Sequence, residues 1–170
     1  MPVGALFLDK SGTPPIVPDA LTLSGRCDPC YNLDTMANFQ EVEHTADLAL
    51  RVQGCDLGDL FVNAAQGMSS LLDPEGAAAP GGETRRCEIE AFDAESLLVE
   101  WLSELVYWAE VDRFVCSAFQ VQHASPTRLA VVCRGSRLRE MQRHIKAVTY
   151  HNLAIVPTEQ GLEATVVFDV

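Results

Sequence analysis

Two stretches at opposite ends of the chain carry acids placed where chemistry could happen. The segment EVEHTADLAL, residues 41–50, sets His44 and Asp47 three apart at the mouth of an alternating run, and the last two residues are Asp169 and Val170. After Asp47 the pattern is that of a half-buried strand: Leu48, Leu50 and Val52 fall on one face, and Asp47, Ala49, Arg51 and Gln53 on the other. In the terminal stretch Leu162, Ala164, Val166, Phe168 and Val170 share one face, and Glu163, Thr165, Val167 and Asp169 the other. Both aspartates therefore point outward. If the two strands approach, like charges facing one another across a sheet cost up to about 1 kcal/mol, and a cation between them reverses that sign. With the α-carboxylate of Val170 beside Asp169, the donor set is all oxygen, which suits Ca²⁺ or Mg²⁺ and suits zinc poorly. Parity alone does not establish proximity, and two unrelated surface acids give the same pattern.

Other ionisable residues invite the same double reading. Lys146, between Ile145 and Ala147, fits a snorkelling surface lysine, or one that screens nearby carboxylates or touches a phosphate. Glu100 and Glu104 lie one turn apart on the polar flank of a helix, as a solvated face would have them. The histidines at 44, 123, 144 and 151 fit satisfied or exposed side chains better than ligands, with His44 placed to order the strand entrance. A metal-dependent phosphoesterase could be assembled from Asp47, Asp169, His44 and His151, because clustered acids and histidines activate water. Against it, the chain has no nucleophile elbow, no P-loop, no zinc-type spacing and no nucleotide site of its own. A metal-free interaction module is the third possibility.

The elements that must hold these residues follow from period and punctuation. Residues 57–72 switch to a helical period, with Leu57, Leu60, Phe61, Ala64, Met68, Leu71 and Leu72 on one stripe, Asp56 as N-cap and Asp73-Pro74 as the stop. A second helix follows Asp93, and its apolar residues, Leu97 to Ala109, cover well over a third of the circumference. Strands are expected over 85–92, 114–122, 128–135, 153–157 and 162–170, the last two joined by a hairpin turning at Thr158–Gly161. The segment 144–153 reads equally as a strand or a short helical turn. Strand, helix, strand, helix and then several strands is an α+β layout, with two main helices on one face of a mostly antiparallel sheet.

Residues 1–35 stand apart, rich in Pro, Gly and Ser and without a sustained period; they read as a flexible extension before a single domain over 36–170. With 170 residues and 48% apolar content the chain can close one core. A net charge of −12 repels phosphate backbones, which disfavours direct nucleic-acid binding and better matches a cation or a basic protein partner. No segment is built like a secretory leader or a membrane span, so a cytoplasmic, reducing setting is expected. In that setting the six cysteines should act mostly as small buried hydrophobes, and the lone C-x-x-C at Cys27 and Cys30 is a weak motif.

Taken in order, FQEVEHTADLALRVQG, LLVEWLSELVYWAE, IKAVTYHNL and the terminal ATVVFDV resemble the archease family over residues 38–170. The resemblance implies nested strand-helix-strand-strand modules. It also implies an accessory protein rather than an enzyme, one that promotes guanylylation and multiple turnover of the RtcB-type, GTP-dependent RNA ligase of tRNA splicing and RNA repair. The family's metal site would map onto Asp47, Asp169 and Val170, its functional lysine onto Lys146, and an acid of its middle helix onto Glu104.

Overall fold

The computed structural model describes residues 38–43, 48–73, 82–141 and 143–170. The extension expected over residues 1–35 lies outside these. Ten elements follow one another: β1 (Phe39–Glu43), β2 (Leu48–Gly54), α1 (Leu57–Leu72), β3 (Glu83–Glu90), α2 (Ala94–Asp112), β4 (Phe114–Ala124), β5 (Arg128–Arg137), β6 (Ala147–Thr149), β7 (Val156–Thr158) and β8 (Gly161–Asp169).

Every strand pairing is antiparallel, and the expected α+β class holds. The strands divide between two sheets, a division that period-two patterns do not encode. The first sheet runs β1-β2-β8-β6, with β7 also on β8; the second runs β3-β5-β4. The second sheet and α2 form a contiguous strand-helix-strand-strand unit, inserted between α1 and β6 of the first. Both units share one apolar core, which joins Leu50, Val166 and Phe168 of the first sheet to Leu129, Val131 and Cys133 of the second through the two helices.

Helix starts are set locally. Asp56 Oδ1 accepts from the Asp59 N–H at 2.9 Å, and Asp93 Oδ1 from the Ser96 N–H at 2.8 Å, so each N-cap satisfies a donor that the helix leaves orphaned. Hydrogen bonds from the side chain and main chain of Ser96 hold the Asp93 carboxyl below the usual carboxylate range. The expected stripes face inward: Leu60, Phe61, Ala64, Met68, Leu71 and Leu72 of α1 are buried, as are Leu97, Leu98, Trp101, Leu102, Leu105, Trp108 and Ala109 of α2. Trp101 Nε1 donates to the Phe61 carbonyl at 3.1 Å, locking one helix to the other. At the far end of α2, the Arg85 guanidinium reaches Asp112 at 2.7 Å and lies 4.2 Å over the Phe114 ring.

Gly161 sets the phase of β8. It follows the two-residue turn of the β7–β8 hairpin with φ of +130°, where a side chain would be strained, and a Cβ there would collide with the Gly54 carbonyl. The ambiguous segment resolves as the short strand β6, with Val148 buried and Ala147 exposed.

Cys87, Cys116 and Cys133 are free and buried, as expected of small hydrophobes. Cys55 departs from that expectation: it is disulfide-bonded. It sits half-exposed between β2 and α1. Among the described residues no helix is long and apolar enough to cross a membrane.

Candidate functional site at the end of β8

β8 runs between β2 and β6, and its last residues are gripped from both sides. On one side Leu48, the residue after Asp47, is the cross-strand partner of Phe168, the residue before Asp169. The first and last long strands thus do approach. Asp47 and His44 themselves lie outside the described residues. On the other side Ala147 pairs with Asp169, and the Lys146 N–H donates to the Asp169 carbonyl at 2.8 Å. The Lys146 ammonium folds over the end of the strand and donates to the Val170 oxygen at 2.7 Å. Asp169, Val170 and Lys146 are all exposed. Three sequence-predicted residues therefore share one patch.

The face that carries Asp169 is less polar than its sequence suggests. Val167, on the same face, pairs with Ala49 and with Thr149, and Val167 and Ala49 are only 5% and 1% exposed. Alternation does not leave this whole face to solvent: the cross-strand pair of small and β-branched side chains is covered.

Lys146 is held by the three residues that precede it, each of which meets a different element. Arg143 Nη1 lies 3.3 Å from Glu41 of β1, His144 Nδ1 lies 3.0 Å from Glu110 of α2, and Ile145 is 1% exposed in the core. None of these partners is visible in the sequence, because the segment is irregular and each contact is remote in the chain. A charged pair of residues flanking a lone buried aliphatic was the only signal.

Glu104 occupies a different setting. It is half-buried on α2, and its charge adds to burial in pushing the Cys87 thiol of β3 up to about 12. Its described neighbour thus belongs to the second sheet. His151 stands in the turn after β6, with Nε2 3.1 Å from Asn152 Nδ2. A separate cleft of about 310 Å³ opens between α1 and β4, walled by Phe39, Phe119 and Asp73 among others, and no candidate site residue lines it.

The described donors at the end of β8 are the Asp169 carboxylate and the Val170 oxygen, both hard and exposed, and no arginine competes for them in the described ion pairs. Among the described residues no group of three or more His, Cys, Asp or Glu side chains is arranged to hold a metal. What is present fits part of an oxygen-donor site for Ca²⁺ or Mg²⁺, and a cationic ammonium already rests on one of those oxygens.

Comparison with known proteins matches residues 39–170 to the archease protein family (MTH1598/TM1083). The protein archease of Methanosarcina acetivorans is 36% identical over 142 residues, covering 78% of this chain and 95% of that one. The protein archease of Saccharolobus islandicus is 32% identical over 140 residues, covering 79% and 100%. Among solved structures, protein 1598 of Methanobacterium thermoautotrophicum superposes with a TM-score of 0.68 at 29% identity, over 79% of this chain and 100% of that one. The Thermotoga maritima structure described as an archease and possible chaperone superposes with a TM-score of 0.54 at 22% identity, a likeness of fold. On the match over residues 39–170 and on these relatives, the chain belongs to the archease family.

Proposed function

We propose that the protein is a non-catalytic accessory factor that activates a GTP-dependent RNA ligase, promoting its guanylylation and its repeated turnover in tRNA splicing or RNA repair. The reading rests on family membership together with one structural observation. The β2–β8 register sets Leu48 against Phe168, and in the sequence Asp47 precedes the one as Asp169 follows the other. Asp47, Asp169 and Val170 would hold Ca²⁺ or Mg²⁺ there, and Lys146 would act at the same surface. When bound, the ion would supply positive charge that steadies phosphate oxygens on an otherwise acidic protein. Asp169 and Val170 contribute oxygens on a strand end that is exposed enough for a macromolecular partner to reach. The net charge of −12 favours a protein partner over RNA itself, so the nucleic acid and the GTP are handled by the ligase.

The test is ligation of RNA with a 3′-phosphate end to a 5′-hydroxyl end, with GTP present and ligase limiting. Adding the protein should raise product from about one joined end per ligase molecule to many, as a turnover factor requires. Product that stays at one per ligase with the protein present refutes the function. Phosphate release by the isolated protein, lost in Asp169→Ala, would instead support the phosphoesterase.

A further inference from the structure

Lys146 is bound to the end of β8 twice, and the two bonds differ in kind. Its main-chain N–H donates to the Asp169 carbonyl at 2.8 Å, as part of the strand pairing, while its ammonium donates to the Val170 oxygen at 2.7 Å from an exposed side chain. The first bond is backed by the core burial of Ile145 and by the Arg143–Glu41 and His144–Glu110 contacts. The second is an ammonium on the same oxygen that the proposed divalent ion would need. An ion at a coordination distance of about 2.4 Å would stand within about 5 Å of that ammonium, two cations on one oxygen with Coulomb repulsion between them. The double charge of the ion wins the oxygen, and the flexible four-carbon stem lets the ammonium leave without moving the backbone.

We propose that Lys146 is an exchangeable internal cation: it neutralises the Val170 oxygen until a divalent ion takes that oxygen, and the displaced ammonium is then presented at the same surface to an anionic oxygen of the partner complex, such as a phosphate. This rests on the reading that the end of β8 holds a divalent ion. It adds that ion binding is what arms the lysine, so the free protein would keep that positive charge engaged internally.

The chain has two lysines, Lys10 and Lys146, which makes amine acetylation of the full-length protein a clean probe. Saturating Ca²⁺ should raise labelling of Lys146 relative to Lys10 severalfold. By calorimetry, Lys146→Met should bind Ca²⁺ roughly tenfold more tightly than wild type, since a competing charge is gone. Arg128→Met, which removes the same charge from a site remote in the pairing scheme, should change affinity less than about twofold. A labelling ratio that does not rise, or an affinity of Lys146→Met equal to or weaker than wild type, overturns the exchange. If wild type binds Ca²⁺ while the exchange fails, the ion site stands without it; if neither wild type nor Lys146→Met binds Ca²⁺, both fall together.

Discussion

Asp169→Asn should weaken divalent-ion binding by about a hundredfold and remove stimulation of the ligase, while shifting the melting temperature by no more than about 2 °C. The size follows from charge. A carboxylate oxygen about 2.4 Å from a doubly charged ion contributes about 3 kcal/mol even at the dielectric of water, and the neutral amide keeps only a dipole. The fold should survive because the described bonds of Asp169 run through its main chain: it pairs with Ala147, and its carbonyl accepts from Lys146. Those bonds are unchanged in asparagine. Calorimetry, a thermal melt and the limiting-ligase assay together check the three parts. Wild-type affinity in the variant would remove Asp169 from the site.

The largest stability effect is expected at Trp101. Its side chain is fully buried, its Nε1 donates to the Phe61 carbonyl at 3.1 Å, and its ring meets Phe119 edge-on with centroids 6.1 Å apart. It thereby contacts α1 and the second sheet at once, so the cavity left by truncation is walled by elements that cannot all close in. Trp101→Ala should cost about 3–5 kcal/mol, a large part of the about 5–15 kcal/mol available to a domain. Trp101→Phe keeps much of the volume but leaves the donor's contribution missing, about 1 kcal/mol beyond the packing loss. Urea denaturation followed by circular dichroism reads both, and a loss under about 1 kcal/mol for the alanine variant would mean that the two units do not share the interior described here.

Features governed by neighbours in sequence were legible before the structure. Asp56 and Asp93 announce helix starts because capping joins residues three apart, and the inward stripes of α1 and α2 follow from a period the chain carries openly. Asp169 could be assigned an outward direction for the same reason, and the β2–β8 pairing then showed that the first and last long strands adjoin. The parity rule failed at Ala49 and Val167, which are buried on the outward face, because cover from outside a strand leaves no mark on its alternation. The division into two sheets was hidden too. β3 and β8 have similar patterns yet join different partners, and partner choice depends on contacts remote in the chain. The brace from Arg143 to Ile145 and the disulfide at Cys55 were missed for the same reason, since each is made with residues that local pattern does not identify. Identity of the site residues came from family resemblance; the gathering of Lys146, Asp169 and Val170 at one strand end came from register and the Lys146–Val170 bond.

A divalent ion held where β2 begins and β8 ends would carry the proposed activity, and Mn²⁺ titration followed by amide NMR detects it. A paramagnetic ion there should broaden the amide signals of Leu48, Lys146, Ala147, Phe168 and Asp169 first, with those of Cys87 and Leu129 in the second sheet persisting. Broadening that begins elsewhere, or that leaves the end of β8 untouched at saturating Mn²⁺, would contradict it.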